Sequence, residues 1–231
     1  MRTALLLFLF TFPTALEASD CVILLHGLAR TEHSFSKMKK TLADSGYVVI
    51  NNSYPSTKFE IEQLAEKAIP ESISECPENS TIHFVTHSLG GILIRQYLSV
   101  HELENLGKVV MLGPPNKGSE ITDKLKNVPV YELINGPAGM ELGTDSLSTP
   151  NELGPVNFDL GIIAGTRTFN PILSTMLPNP DDGKVSVENT KLPGMTDHIE
   201  LAVTHTFMMK NKEVIKQVVH FLRNGAFEKS E

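Results

Sequence analysis

The chain has 231 residues, of which 41% are hydrophobic, so it can bury a core of ordinary size and is not expected to be disordered. It carries 20 basic and 27 acidic side chains, a formal net charge of −7, with no clustered run of Lys and Arg. This balance argues against binding to nucleic acid, because phosphates attract clustered positive charge. No composition shift or linker divides the chain, and we predict one domain over residues 20–231.

The first 19 residues differ in composition from the rest. Arg2 precedes an apolar run over residues 4–12, and small residues follow as far as Ser19. This is the pattern of a secretory signal peptide, and the run is shorter than the ~20 residues that a membrane-spanning helix needs. We predict a signal peptide over residues 1–19, export to the periplasm or the medium, and no stable transmembrane anchor.

The chain has two cysteines, Cys21 and Cys76, and each lies shortly before an apolar segment with strand character. Export makes a disulfide chemically feasible, and an even cysteine count in an exported chain favours pairing. We therefore predict a bond between Cys21 and Cys76, with two unpaired thiols as the alternative.

Short apolar segments alternate with segments of helical periodicity along the chain. The predicted strands are residues 22–25, 47–50, 82–86, 109–112, 160–164 and 201–203. Helical stripes follow the first three strands, the second of them interrupted at Pro70, and an amphipathic helix from Glu213 ends before Gly225. This alternation predicts a mostly parallel α/β sheet with helices on both faces.

The strongest candidate for a catalytic residue is Ser88, within the stretch IHFVTHSLGG over residues 82–91. A serine between a buried strand and a helix is lifted above the sheet edge, and Gly90 and Gly91 allow the close backbone approach that such a turn needs. A plain helix cap is the alternative for Ser88. As a nucleophile it would use the amides of Leu89 and Leu28 to stabilise an oxyanion.

A serine hydroxyl needs a base and an orienting carboxylate before it attacks. The expected chain order is serine, acid, histidine, which selects Asp182 in a polar turn, with Asp181 as its rival. His205 follows the last predicted strand and is the preferred base, whereas His198 precedes that strand and would lie at the opposite edge.

Two further histidines, His26 and His87, precede the predicted acid in the chain. The fold under consideration expects its base after the acid, so we expect both residues to pack near the core or to orient a loop.

The motifs LLHGL at 24–28, THSLGG at 86–91, the Asp-Gly turn at 182–183 and His205 together resemble those of bacterial α/β-hydrolase lipases and esterases. The resemblance implies cleavage of carboxylic esters or lipids through an acyl-enzyme, no organic cofactor, and an oxyanion hole at Leu28 and Leu89. It also implies a minimal α/β-hydrolase fold of about six strands. Residues 116–157 separate the fourth and fifth strands, and a segment of this length suits a small cap over the acyl site, with an ordinary surface excursion as the alternative. Thr86 departs from the pattern, because the first position of G-x-S-x-G is usually glycine.

Other functions use the same three residues. A thioesterase, a phospholipase or an acyltransferase would differ only in the leaving group or acceptor, and a non-catalytic binding protein of the same fold is the alternative from another class. Thr206 and Phe207, which follow His205, show no carboxylate pattern, so no metal is expected. Acyl chain length and oligomeric state are open at this point.

Overall fold

The computed structural model describes residues 20–229, and the predicted signal peptide lies outside the described residues. One sheet contains six strands, in the order β2-β1-β3-β4-β5-β6, and every neighbouring pair is parallel. The strands are β1 (Cys21–Leu25), β2 (Val48–Ile50), β3 (Ile82–His87), β4 (Leu106–Leu112), β5 (Leu160–Gly165) and β6 (Asp197–Leu201).

Helices connect the strands and cover both faces of the sheet. They are α1 (Ser36–Asp44), α2 (Ile61–Ser74), α3 (Leu89–Val100), α4 (Glu120–Leu125), α5 (Pro129–Met140), α6 (Thr149–Glu152), α7 (Pro171–Ser174), α8 (Val187–Thr190) and α9 (Lys212–Asn224), with short 3₁₀ helices at Glu32–Phe35 and His205–Lys210. None of the helices within residues 20–229 combines the length and the apolar character needed to cross a membrane.

The central strands are apolar on both faces because each face is covered. In β1, Ile23 and Leu25 point into the cluster formed with α2 and α3, whereas Val22 and Leu24 point into the cluster formed with α1 and α9. All four side chains are almost fully buried. The continuous apolar run that predicted a buried parallel strand therefore reflects two hydrophobic layers.

The last strand lies earlier in the chain than predicted. We expected residues 201–203, but β6 is Asp197–Leu201 and includes His198. It is an edge strand whose residues are only half-buried or exposed, so its sequence is largely polar. The apolar residues that predicted a strand therefore belong to the segment at the end of β6 and just after it.

The second helix also differs from the prediction, because Pro70 does not interrupt it. Helix α2 continues through Pro70 to Ser74. Proline cannot donate a hydrogen bond to the carbonyl of Glu66, but both residues lie on the exposed side, where water can replace the missing donor. The buried side of the helix, which includes Ile69, keeps its packing.

A disulfide joins Cys21, the first residue of β1, to Cys76, which follows α2. The two Cα atoms are 5.8 Å apart, and 55 positions separate the residues in the chain. Cys21 is fully buried within the cluster that α2 and α3 cover, and Cys76 packs against the same cluster. The bond therefore closes a loop that contains β1, α1, β2 and α2.

Removing both sulfur atoms is expected to destabilise the protein substantially. Closing a loop of this length lowers the entropy of the unfolded chain and stabilises the fold by about 4 kcal/mol. We expect Cys21→Ala/Cys76→Ala to lower the free energy of unfolding by roughly that amount in a urea titration. Wild-type protein under strong reductant is the matched control and should approach the variant, whereas equal stability in all three samples would contradict the expectation.

Candidate active site

Ser88 lies on a sharp turn between β3 and α3. Its backbone has φ 52° and ψ −120°, a conformation that side-chain-bearing residues rarely adopt, and its N–H donates to the carbonyl of Leu112 at 3.0 Å. Gly90 allows the turn because an added Cβ would overlap the carbonyl oxygen of Leu25. The strained backbone presents the serine at the carboxyl edge of the sheet, as expected of a nucleophile.

Thr86, the residue that departs from the usual motif, does not prevent this turn. It lies in β3 and is fully buried, in a conformation that suits a β-branched side chain. A Cβ added at Gly91 would lie 3.4 Å from Thr86 Oγ1, which is an ordinary van der Waals contact. The threonine is therefore accommodated in the strand beside the turn.

Two backbone N–H groups beside Ser88 are free to stabilise an oxyanion. Leu89 is the first residue of α3, so its N–H has no partner within the helix, and Leu28 lies in the loop after β1 and lines the pocket that contains Ser88. Among residues 20–229, neither N–H donates to a protein acceptor. The positive end of the helix dipole adds to the attraction for negative charge at Leu89.

His26 holds the loop that carries Leu28. Its ring stacks on Tyr54 with centroids 3.9 Å apart, its Nδ1–H donates to the carbonyl of Gly27 at 2.9 Å, and its Nε2 accepts the N–H of Tyr54 at 3.2 Å. The Tyr54 hydroxyl also donates to the His26 carbonyl. Burial lowers the pKa of His26, which favours the neutral ring. The histidine thus has the loop-orienting position that we expected.

Asp182 and His205 are joined by two hydrogen bonds. His205 Nδ1–H donates to Asp182 Oδ2 at 2.7 Å, and the His205 N–H donates to the Asp182 carbonyl at 3.0 Å. The other carboxylate oxygen, Oδ1, accepts the N–H groups of Lys184 and Val185 at 2.9 and 2.8 Å. Asp182 is only 2% exposed, so the carboxylate has a fixed orientation toward the imidazole.

Asp181 faces away from His205. Its Oδ1 accepts the N–H of Gly183 at 2.7 Å, and its Oδ2 accepts the hydroxyl of Ser174 at the end of α7. These bonds shape the turn and connect it to α7. The neighbouring carboxylates therefore have different positions, and the structure brings only Asp182 to the histidine.

Gly113 makes space for the Asp182–His205 pair. It follows β4 with φ 53°, and a Cβ at this position would lie 2.8 Å from Asp182 Oδ2 and 3.1 Å from His205 Nδ1. Any other residue would strain the backbone and press on both side chains.

His87 packs against the base. Its ring centroid is 4.6 Å from that of His205, and its Nε2–H donates to the His205 carbonyl at 3.0 Å. Burial, with a contribution from neighbouring His205, lowers the pKa of His87 well below its ordinary value, so the ring is neutral. It therefore positions the base loop as an uncharged group, in keeping with the packing role expected from its place in the chain.

His198 lies elsewhere. It is the second residue of β6, and its Nε2 contacts the hydroxyl of Thr190 at 3.0 Å. It does not line the pocket of Ser88 and His205. The structure therefore does not bring this alternative base to the serine.

Ser88 and His205 line one pocket of about 330 Å³. His205 Nε2 makes no hydrogen bond to a described residue, which leaves it accessible from this pocket. Residues 116–157 supply an apolar wall that includes Ile121, Tyr131, Ile134 and Leu142, so the predicted cap segment covers one side. Within residues 20–229, no group of three or more His, Cys, Asp and Glu side chains is placed to hold a metal ion.

Arg95, on α3, attaches both ends of the cap. Its guanidinium donates to the carbonyl of Asn116 at 3.1 Å, and to the carbonyls of Pro150 and Gly154 at 2.9 and 2.8 Å. The side chain is buried, and burial lowers its pKa to about 10, so it stays charged at neutral pH. The helix that begins at Ser88 therefore also fixes the wall of the pocket.

Known proteins resemble this chain in structure only. No protein-family model matches the sequence, and no curated protein is significantly similar to it. A lipase of Bacillus licheniformis in its mature form superimposes with a TM-score of 0.69 at 18% identity, over 89% of this chain and 92% of that one. A metagenomic carboxyl esterase gives 0.64 at 20% identity, over 81% and 65%. A monoacylglycerol lipase of Paleococcus ferrophilus gives 0.59 at 16% identity, over 90% and 96%.

Agreement over most of this chain, together with the parallel sheet and the serine turn, decides the fold. The chain has the α/β-hydrolase fold. The predicted fold class is thereby confirmed, and the likeness at these identities concerns the fold alone. An α/β-hydrolase carries nucleophile, acid and base in that chain order, which is the order of Ser88, Asp182 and His205.

Asparagine at position 182 is expected to impair a reaction at Ser88 far more than asparagine at 181. An amide at 182 keeps the size of the carboxylate but can no longer stabilise an imidazolium, and it favours the wrong tautomer of His205. We expect Asp182→Asn to lower kcat for ester hydrolysis by about 10³ to 10⁴-fold. Asp181→Asn is the matched control and should cost less than about tenfold, and the reverse ranking would identify Asp181 as the acid.

Several residues of this site could not be identified from the sequence. Gly113 and Arg95 act through contacts between elements that are distant in the chain, and no local pattern marks such contacts. Arg30 and Lys184 both line the pocket, and each lies two positions after a residue that the motifs had selected, Leu28 and Asp182. Their closeness in the chain to those motifs was the one feature of the sequence that could have identified Arg30 and Lys184 as pocket residues.

Proposed function

We propose that the protein is a serine hydrolase that cleaves carboxylic esters through an acyl-enzyme on Ser88. The observation that carries this proposal is the buried Asp182–His205 hydrogen bond of 2.7 Å in the same pocket as the serine turn. The structural likeness to lipases and an esterase supports an ester as the substrate, since those proteins have the same fold as this chain.

The geometry supports a two-step reaction. Ser88 Oγ attacks the ester carbonyl while His205 Nε2 takes its proton, and the Leu28 and Leu89 N–H groups stabilise the oxyanion. Asp182 stabilises the imidazolium that forms. His205 then returns the proton to the departing alcohol oxygen, and a water molecule activated by the same histidine hydrolyses the acyl-enzyme.

The hydrogen bonds support Nε2 of His205 as the basic nitrogen. Nδ1 donates to the Asp182 carboxylate, so Nε2 carries the free lone pair. His87 is a much weaker base, because burial lowers its pKa well below the ordinary value, and its Nε2–H already donates to the His205 carbonyl. We therefore assign the base role to His205.

Covalent labelling tests the proposal directly. A serine-directed fluorophosphonate reacts only with an activated hydroxyl, so intact mass spectrometry should show one adduct on the wild type and none on Ser88→Ala. An unlabelled wild type would instead favour a non-catalytic binding protein. A panel of esters and thioesters with graded acyl chains, with and without an acceptor alcohol, then separates esterase, thioesterase and acyltransferase activity.

We further propose that the protein is exported and acts in the periplasm or the medium. The support is the signal-peptide pattern of residues 1–19, together with a disulfide, which persists in oxidising compartments. N-terminal sequencing of the protein from fractionated cells tests this. Cleavage near Ser19 is expected, and an uncleaved cytosolic chain would refute the proposal.

A further inference from the structure

Two positive side chains line the pocket of Ser88 and His205. Arg30 and Lys184 are both exposed, and among the described residues that line the pocket there is no aspartate or glutamate, the Asp182 carboxylate lying behind His205. The charge of the pocket rim is therefore opposite in sign to the net charge of the chain, which is −7. A local excess of positive charge at a substrate pocket favours negatively charged ligands.

No carboxylate within residues 20–229 forms an ion pair with either cation. Arg30 donates to Thr206 Oγ1 at 3.3 Å, and Lys184 Nζ makes no hydrogen bond to a described residue. Partial desolvation and then the charge of Arg30 lower the pKa of Lys184, while the Asp182 carboxylate opposes this. Positively charged side chains at the surface usually have no specific role. Two of them close together at a pocket repel each other, and an anion that binds between them is attracted to both.

Both cations are connected to the segments that carry His205 and Asp182. Arg30 contacts Thr206, the residue after His205, and Lys184 lies in the turn whose N–H groups bind Asp182. In the proposed reaction His205 protonates the departing alcohol, so the alcohol must lie next to this histidine. The same pocket is also lined by apolar cap residues, which suit an acyl chain.

We propose that Arg30 and Lys184 form an anion subsite, and that the preferred substrate is an ester whose alcohol carries a carboxylate or a phosphate. The inference rests on the proposed ester hydrolysis and specifies its substrate. Carboxylate and phosphate share the oxygen acceptors that arginine and lysine bind. The subsite would act mainly on substrate binding.

Three aryl acetates test the subsite: 4-acetoxybenzoate, 4-acetoxyphenyl phosphate and the neutral 4-acetoxybenzamide. The measured quantity is the ratio of kcat/KM for each anionic ester to that for the neutral ester, which cancels general effects of a substitution. We expect Arg30→Gln and Lys184→Gln each to lower the ratio by about three- to fivefold, mainly through KM, and the double variant by about tenfold. Added salt should lower the wild-type ratio.

Lys67→Gln is the matched control, because it removes one positive charge from the exposed side of α2, outside this pocket. Its ratio should equal that of the wild type. Loss of the ratio for one anion only would identify that anion as the ligand. The subsite alone would be overturned if the double variant kept the wild-type ratio, or if Lys67→Gln lowered the ratio equally. If the wild type hydrolysed none of the three esters, both ester hydrolysis and the subsite would be overturned.

Discussion

Ser88→Ala is expected to abolish ester hydrolysis, with kcat falling by roughly 10⁵ to 10⁶-fold. The physical reason is that no other group can form the acyl-enzyme at the turn between β3 and α3. The residual rate would come from the oxyanion N–H groups and from binding alone. The measurement is release of alcohol from a short-chain ester by purified protein, followed under saturating substrate.

Ser119→Ala provides the matched control for this experiment. Ser119 lines the same pocket, but its hydroxyl donates to the carbonyl of Lys184 at 2.8 Å and does not lie on the strained turn. Its loss should reduce kcat by less than about tenfold. Urea unfolding should show that both variants fold. A folded Ser88→Ala protein with the wild-type rate would refute the assignment of the nucleophile.

The second large effect is expected for His205→Ala, which should reduce kcat by about as much as loss of the serine. Nucleophile and base act as a unit, so removing either one removes almost the whole contribution of the three residues. The fluorophosphonate should also label this variant far more slowly, because the Ser88 hydroxyl keeps its proton. Both rates can be measured on the same preparation.

His198→Ala distinguishes the two candidate bases. Among residues 20–229, the His198 ring makes one hydrogen bond to a side chain, the Thr190 hydroxyl, so its loss should cost about 1 kcal/mol of stability and little activity. Should His198→Ala abolish turnover while His205→Ala retains it, the assignment of the base is wrong, although the reaction class survives.

The strands of the sheet centre and the serine turn could be predicted because their signals are local. β3 is buried on both faces, so it has the continuous apolar run of a parallel strand. Gly90 marks the close packing against the end of β1, and Gly91 packs against Met111 of β4. The order of acid and base along the chain then selected Asp182 and His205. Each of these features depends on a short continuous segment, so the sequence alone contains the whole pattern.

Features that depend on contacts between distant parts of the chain could not be predicted from local sequence patterns. β6 lies at the sheet edge, and its half-buried residues gave no apolar run. Pro70 is tolerated within α2 because its side of the helix is exposed, which the sequence alone does not show. The contacts of Arg95 connect residues that are 21 to 59 positions apart, so only the folded chain reveals them.

The attachment of the cap by Arg95 separates the preference for the acyl group from the geometry of the serine turn. Because one guanidinium binds the carbonyls at both ends of the segment, the positions at which the chain leaves and rejoins the sheet are held from α3. Cap side chains that line the pocket, such as Ile134, take no part in this attachment. Substitutions at such positions would therefore change the acyl preference of this molecule while the serine turn keeps its support.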